Sequence, residues 1–438
     1  MPRFGVSVTL PSMCDSVVAV GQETASGTTL FGKNSDRKGG ECQPFVQHAE
    51  ASHPASAKVR CTHVEIPQVA ETYRVMGHSP WWVWGFEQGV NEHAVAIGNH
   101  TIFTNEPIEE QPGLIGMDLV RLGLERGRDA REALEVIATL IETHGQGGPA
   151  LAPGVGAYHN SFLLADPAET WILETSNRRW VARRERLGAV SNHVSLGVDW
   201  QISSRDLEPF ARSRGWWQKA GRVDVAAAYR DRRIPGFVSE GRHRRANDLL
   251  REGRGRHTVA TFQELLRDHL DGGTVWHDDA NPDEERYYTL CAHSDPISWT
   301  TASLIAPLPE DRSGPWPVWI SFGTPCTGVF LPVYLESVLP PALAQGGEQP
   351  DADSFWWTLK HLQDAASEDW ARNTPLLRTA WAEFEEEVEA ERLEVEAAGR
   401  VALAANGRDD LARILSDFMA RVVEDAIKRA EMLRTRLS

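Results

Sequence analysis

The chain has 438 residues, 41% of them hydrophobic, and a formal net charge of −17. That hydrophobic content supports a sizeable core and argues against a largely disordered chain. An acidic surface repels phosphate backbones and anionic lipids, so we expect no nucleic-acid partner and no membrane partner. The five cysteines show no C-x-x-C spacing. This argues against a disulfide framework and a structural zinc site, and it is typical of a reduced, cytoplasmic protein.

The N-terminal part of the chain alternates β-rich runs and turns. Residues 15–20 and 28–33 are β-rich, and the turn signal at 24–27 lies between them. This pattern predicts a hairpin. A further strand is predicted at residues 94–98.

Two helices are predicted next, at residues 115–126 and 130–144, with Asp129 as the N-cap of the second. The short apolar runs at 161–165, 170–174 and 180–182 are spaced like a strand meander.

The second half of the chain is predicted to be mostly helical over residues 204–270, with strands at 301–305 and 318–322. A Gly/Pro-rich stretch at 340–350 marks a boundary, and the chain beyond it is predicted to be helical. Blocks of strands and blocks of helices, without βαβ alternation, favour antiparallel sheets covered by helices.

The chemistry-bearing candidate is Cys14, at the start of the predicted hairpin. An isolated cysteine is more often a small buried hydrophobe than a nucleophile. The hairpin partner, however, brings Asn34, Asp36 and Arg37 back beside Cys14. Such a cluster can orient a thiol, and cations stabilise its thiolate form.

A series of short sequence blocks runs along the chain: Cys-Asp at 14–15, Gly-Lys-Asn-Ser-Asp-Arg at 32–37, Gly-Val-Asn-Glu at 89–92 with Val-Ala-Ile-Gly-Asn at 95–99, Asn-Ser-Phe at 160–162 with Trp-Ile-Leu-Glu-Thr at 171–175, Ser-Asn at 191–192, Thr-Thr-Ala-Ser at 300–303 and Pro-Cys at 325–326 with Val-Phe-Leu-Pro-Val-Tyr at 329–334. In this order the blocks resemble those of the secernin and dipeptidase family of cysteine N-terminal-nucleophile hydrolases, which is related to penicillin V acylase and bile-salt hydrolase. Together these blocks extend over roughly residues 14–335.

The resemblance implies an α+β fold, a four-layer αββα sandwich of N-terminal-nucleophile type. The hydrolase domain would span residues 14–340, followed by a helical C-terminal region at 341–438. Residues 1–13 would be either a propeptide removed by self-cleavage or an extension upstream of a true start at Met13. Either way, an intact residue 13 masks the α-amine of Cys14.

The resemblance also implies roles for five catalytic residues. Cys14 would be the nucleophile, with its own free α-amine as general base. Asn99 would donate to the oxyanion, and Asn192 would bind near the nucleophile. Asp36 would hold the α-amine or thiol, and Arg242 would complete the cluster.

Four further residues are expected to bind substrate or support the site: Lys33, Asn34, Arg37 and Trp82. The acylase branch has an arginine where this chain has Lys33. Which of Lys33 and Arg37 takes the role of that arginine is left open. Trp82 belongs to a tryptophan cluster that either packs or lines a substrate cleft. We expect no cofactor and no metal, because the histidines lack a metal-ligand spacing.

The function implied is hydrolysis of amide bonds in dipeptides or other small peptides through an acyl-enzyme on Cys14. One alternative is an acylase of N-acyl amino acids or related small amides, since pocket shape and not fold decides the substrate. Another is a secernin-like regulatory protein with little or no peptidase turnover. The partner is then a small peptide or acyl-amide substrate, and a homo-oligomer is left open.

Overall fold

The computed structural model describes residues 13–109, 111–151, 156–270, 284–294 and 298–437, so residues 1–12 of the expected N-terminal extension lie outside the described part. The strands are β1 (Cys14–Ala19), β2 (Thr29–Arg37), β3 (Phe45–His48), β4 (Ala51–Ser52), β5 (Lys58–Arg60), β6 (Glu65–Pro67), β7 (Glu71–Thr72), β8 (Val75–His78), β9 (Gln88–Asn91), β10 (Ala96–Ile102), β11 (His159–Ala165), β12 (Thr170–Ser176), β13 (Arg179–Glu185), β14 (Leu187–Val190), β15 (Ile202–Ser203), β16 (His293–Ser294), β17 (Ser298–Leu308), β18 (Val318–Phe322) and β19 (Leu331–Val333). The helices are α1 (Gly116–Arg126), α2 (Ala130–His144), α3 (Leu207–Ser213), α4 (Val225–Tyr229), α5 (Glu240–Glu252), α6 (Val259–Leu266), α7 (Pro341–Ala344), α8 (Phe355–Ala366), α9 (Trp370–Asn406) and α10 (Arg408–Leu437).

Two antiparallel sheets organise the described residues. The nucleophile sheet has the order β14-β1-β2-β17-β18-β19, with β16 paired to β17. The second sheet has the order β15-β13-β12-β11-β10-β9-β8-β3. The β1–β2 hairpin predicted from the sequence is confirmed, and its register sets Cys14 opposite Ser35. Strand β2 runs on to Arg37, beyond the predicted end, because β17 pairs with it along its whole length.

Three apolar layers show how the sheets and helices stack. One layer lies between the second sheet and helices α1 and α2, and includes Ile97 and Leu134. Another lies between the nucleophile sheet and helices α5 and α6, and includes Val17 and Phe262. The third lies between the two sheets, where Phe31 belongs to the same cluster as residues of β8 to β13. The order helix, sheet, sheet, helix is the predicted four-layer αββα sandwich of an α+β protein.

The helices after the second sheet differ in part from the prediction. Residues 204–270 hold helices α3 to α6 separated by substantial loops, so this stretch is less helical than predicted. The C-terminal helices begin at Pro341, close to the predicted boundary. They share the inter-sheet core, and the Trp381 indole donates to Thr327 O at 2.9 Å. No helix in the described ranges combines the length and apolar character needed to cross a lipid bilayer.

Candidate active site

Cys14 lies at the first position of β1 and is 2% exposed. Side chains alternate along a strand, and Val18 belongs to the inter-sheet cluster. Cys14 therefore faces the second sheet, as does Ser16, whose hydroxyl lies 2.7 Å from His100 Nε2 of β10. The nucleophile candidate is thus held between the sheets by the regular pairing of β1.

The backbone nitrogen of Cys14 is bound by a buried polar relay. It donates to Asn192 Oδ1 at 2.9 Å, and Arg242 Nη2 donates to the same oxygen at 2.7 Å. Asn192 Nδ2 donates to Thr101 O at 2.9 Å, which fixes the orientation of the carboxamide. Arg242 also pairs with Asp15. The structure therefore brings Cys14, Asn192 and Arg242 into one hydrogen-bonded group.

Asp36 lies at the same end of the hairpin but is held by a different neighbour. Its Oδ1 accepts a hydrogen bond from the Thr300 hydroxyl at 2.7 Å, while its buried Oδ2 has no hydrogen-bond partner among the described residues. Burial, together with the negative charge of Asp15, raises the pKa of Asp36 to about 8. Asp36 is therefore largely protonated at neutral pH in this state.

Met13 occupies the space next to the nucleophile. It is 1% exposed, and its carbonyl oxygen accepts a hydrogen bond from the backbone nitrogen of Asp36 at 2.9 Å. The nitrogen of Cys14 is a peptide amide in this state and has no basic lone pair. A chain that retains Met13 therefore lacks the general base that the family resemblance implies.

The thiol of Cys14 holds its proton at neutral pH in this state. Burial raises its pKa to about 12, although the positive charge of Lys33 opposes the shift. The negative charge of Glu87 adds to the rise. Lys33 is thus the candidate cation whose charge acts on the nucleophile.

Lys33 and Arg37 meet at one buried carboxylate. Lys33 Nζ lies 3.7 Å from Glu87 Oε2 and donates to Gln88 Oε1 at 3.0 Å. Arg37 Nη1 donates to Glu87 Oε1 at 2.5 Å, and its Nε donates to Glu41 Oε1 at 2.7 Å. The Arg37 guanidinium is therefore bound to two carboxylates, those of Glu41 and Glu87.

Trp82 belongs to the same network. Its indole nitrogen donates to Glu41 Oε1 at 2.9 Å, and its side chain is half-buried. The bond places Trp82 beside the Arg37–Glu41 pair.

Asn99 lies between Glu87 and Asn160. When its Nδ2 faces Glu87, it donates to Oε2 at 2.9 Å and to the backbone oxygen at 3.0 Å. The opposite orientation puts the Asn99 oxygen against those acceptors and leaves a 3.3 Å bond to Asn160 Oδ1. We adopt the first orientation because both of its bonds are satisfied. The donor hydrogens of Asn99 go to Glu87 here, so its oxyanion role stays a prediction.

Asn34 braces the sheet from its outer side. Its Nδ2 donates to Leu266 O at 2.8 Å and to Leu290 O at 2.7 Å, and its Oδ1 accepts from the Ser303 hydroxyl at 2.6 Å. All of these bonds tie β2 to neighbouring segments. Asn34 therefore fixes the position of β2 relative to these segments.

Sequence reasoning assigned no role to several residues that surround the site: Asp15, Glu87, Thr300 and Tyr158. Burial raises the pKa of the Tyr158 phenol, and the negative charge of Glu87 adds to the shift. Asp15 follows the nucleophile directly in the matching block at 14–15, and that adjacency was the signal available in the motif. Glu87 precedes the matching block at 89–92, so the motif gave no reason to select it.

Comparison with known proteins found a family model and several similar solved structures. The model of peptidase family C69 matches residues 13–221. A variant of the conjugated bile acid hydrolase from Clostridium perfringens is a similar solved structure, with 13% identity, a TM-score of 0.41 and coverage of 70% of this chain and 89% of that one. The penicillin V acylase from Agrobacterium tumefaciens has 14% identity, a TM-score of 0.41 and coverage of 73% and 86%.

The match to a peptidase family and the buried cysteine at the start of an inner strand support a cysteine amide hydrolase. The match to peptidase family C69 covers residues 13–221, just under half of the chain.

Proposed function

We propose that this protein hydrolyses the amide bond of dipeptides or other small peptides through an acyl-enzyme on Cys14. One observation carries the proposal: the backbone nitrogen of Cys14 is bound at 2.9 Å by Asn192 Oδ1, and Arg242 binds the same oxygen. An ordinary strand residue needs no side-chain acceptor for its amide. An α-amine that has to act as a base needs such an acceptor to fix its direction.

The chemistry follows once residue 13 is removed. The α-amine of Cys14, with an ordinary pKa of about 7.7–8.0, accepts the thiol proton. The thiolate attacks the substrate carbonyl carbon, and the C–S bond forms as the C–O double bond opens to an oxyanion. Asn99 is the candidate donor to that oxyanion.

The tetrahedral intermediate then collapses to a thioester, which is hydrolysed. The C–N bond breaks as the ammonium returns its proton to the leaving nitrogen, which gives a free amine and a thioester on Cys14. Water attacks the thioester, the α-amine accepts the water proton, and cleavage of the C–S bond releases the acid. The thiolate recovers its proton, so atoms and charges balance over the cycle.

Removal of residue 13 has two candidate routes. In self-cleavage, Cys14 would attack the carbonyl carbon of Met13, whose oxygen already accepts a hydrogen bond from the Asp36 nitrogen at 2.9 Å. In the other route, Met13 would be the initiator residue and a separate aminopeptidase would remove it. Both routes expose the same α-amine.

Two supporting roles complete the proposal. Trp82, fixed by Glu41, would line the substrate cleft, and Lys33 would supply the positive charge near the thiolate. The cysteine pattern supports a cytoplasmic location, because all five cysteines are free thiols in the structure.

The test combines the N-terminus with turnover. Intact mass and N-terminal sequencing of the purified protein should show a chain that begins at Cys14, and that protein should hydrolyse members of a dipeptide library. The Cys14→Ala variant should lose turnover completely. The matched Cys61→Ala variant, at another buried cysteine, should keep it.

Other outcomes would redirect the proposal. Turnover of N-acyl amino acids without turnover of dipeptides would identify the acylase alternative. A chain that begins at Cys14 but hydrolyses neither class would favour the secernin-like regulatory alternative. Turnover that survives in Cys14→Ala would remove Cys14 as the nucleophile.

A further inference from the structure

A buried group of two cysteines and two histidines lies apart from the nucleophile. This Cys/His cluster consists of His269, Cys291, His293 and Cys326, whose candidate ligand atoms all lie within 4.8 Å of one another. His293 Nε2 is 3.2 Å from Cys326 Sγ and 3.5 Å from Cys291 Sγ. Each of the four side chains is at most 4% exposed. The proposed hydrolytic mechanism uses none of them.

We propose that the Cys/His cluster is a structural zinc site with all four side chains as ligands. Two thiolates and two imidazoles form a preferred donor set for Zn²⁺, which binds them tetrahedrally. With Zn–S near 2.3 Å and Zn–N near 2.0–2.1 Å, a tetrahedron places sulfur and nitrogen ligands about 3.5 Å apart. The two separations measured at His293 Nε2 are close to that edge length.

Hydrogen bonds already join the backbone segments that carry the ligands. The nitrogen of Cys291 donates to Asp268 O at 3.1 Å, which joins the segment of one ligand to the residue before His269. Arg267 Nε donates to Pro325 O at 3.0 Å, which joins the segment before His269 to the residue before Cys326. These bonds hold three separate segments in place without the metal, so binding needs little rearrangement.

Aromatic rings close the site from outside. The ring of Trp370, the first residue of α9, meets the His293 ring edge-to-face at a centroid distance of 4.7 Å, and the Trp299 ring lies at 5.7 Å. A metal bound by four protein ligands within such a shell has no open position for water. The proposed zinc is therefore structural, and the hydrolytic chemistry at Cys14 does not pass through it.

One hydroxyl connects the Cys/His cluster to the candidate active site. The nitrogen of Ala292, which lies between two ligands, donates to Thr300 Oγ1 at 2.8 Å. The same hydroxyl donates to Asp36 Oδ1 at 2.7 Å. Bound zinc would fix the position of Ala292 and, through Thr300, the position of the Asp36 carboxyl group.

The first test is the metal content of the full-length protein, purified without chelators and measured by inductively coupled plasma mass spectrometry. We expect about one zinc per chain, and loss of that zinc in Cys326→Ser and in His293→Ala. Two buried cysteines outside the cluster provide matched controls, and Cys42→Ser and Cys61→Ser should keep the zinc.

A second measurement does not depend on whether the variants fold, because it uses the unsubstituted chain. After removal of the metal with a chelator under reducing conditions, titration with Co²⁺ should produce the visible absorption of a tetrahedral cobalt–thiolate centre. Added Zn²⁺ should abolish that absorption.

Three results would overturn the proposal. The first is a reduced protein that contains no zinc and takes up neither Zn²⁺ nor Co²⁺. The second is a count of two fewer free thiols than the five cysteines supply, restored by a reductant, which would identify a Cys291–Cys326 disulfide. The third is full zinc retention in a folded Cys326→Ser variant. Each result can be obtained whatever substrate the protein hydrolyses.

Discussion

Arg242 offers the sharpest test of the polar relay behind the nucleophile. Its guanidinium is fully buried, pairs with Asp15 and donates to Asn192 Oδ1 at 2.7 Å. The other oxygen of Asp15, Oδ1, is buried and has no hydrogen-bond partner among the described residues. The Asp15 carboxylate therefore depends on Arg242 for compensation of its charge.

The expected change in the free energy of unfolding follows from the charge that each substitution leaves buried. Arg242→Met leaves the Asp15 charge buried without a partner, and breaking a buried pair in this way costs about 3–5 kcal/mol. Asp15→Asn combined with Arg242→Met removes that charge as well. We therefore expect the double variant to be about 2 kcal/mol more stable than Arg242→Met alone.

The assay is urea denaturation of the four proteins in this double-mutant cycle. Arg244→Met is the matched control, because Arg244 lies on the same helix with an exposed side chain that pairs only at the surface. We expect the control to change the free energy of unfolding by less than about 0.5 kcal/mol. A loss below about 1 kcal/mol in Arg242→Met, or a double variant no more stable than the single one, would refute the dependence of Asp15 on Arg242.

Two further predictions concern Asp36 and Asn99. In a chain that retains Met13, the pKa of Asp36 lies near 8 when folded and at an ordinary 3.8 when unfolded, so its contribution to stability is full below about pH 4 and is lost as the pH rises to about 8. Asp36→Asn should remove this dependence. Measured by urea titration, the free energy of unfolding of the variant should rise relative to that of the parent by up to about 5 kcal/mol between those pH values. Parallel pH profiles of the variant and the parent would contradict the prediction. At Gly116, an added Cβ would lie 2.0 Å from Asn160 Oδ1 and 2.5 Å from the end of the Asn99 carboxamide, so Gly116→Ala should displace both side chains and lower kcat by about 10²-fold if Asn99 stabilises the oxyanion. Gly40→Ala, where a Cβ meets nothing within 4 Å, should leave kcat unchanged, and an unchanged kcat in Gly116→Ala would argue against Asn99.

Local patterns predicted the elements that carry strong local signals. The hairpin of β1 and β2 follows from two β-rich runs around a turn. Helix α2 begins where Asp129 predicts it, since Asp129 Oδ1 accepts from the Glu132 nitrogen at 2.7 Å. The extension of β2 to Arg37 was missed because its partner β17 lies far along the chain, and local propensity carries no information about such pairing.

The Cys/His cluster escaped prediction for the same reason. Its ligands come from separate segments, and His293 and Cys326 are 33 residues apart. A search for C-x-x-C spacing detects ligands on one short loop and misses a set that the tertiary fold assembles. Glu385 gives a further example. It lies in an acidic run at 383–391, whose charges alone suggest a solvated helix face, yet its carboxylate accepts hydrogen bonds from Arg267 Nη2 and the Phe330 nitrogen.

The protonation states near Cys14 explain how cleavage after Met13 would activate the site. With Met13 in place, the Cys14 thiol has a pKa of about 12 and Asp36 a pKa of about 8, so both groups hold their protons at pH 7. Burial is the largest cause of each shift, and a new positive charge would oppose both. Removal of Met13 would convert the Cys14 amide into an amine that can be protonated, still within reach of Asn192 Oδ1. The same cleavage would open the space that Met13 fills, supply the base, and lower the pKa of the thiol and of the Asp36 carboxyl group together.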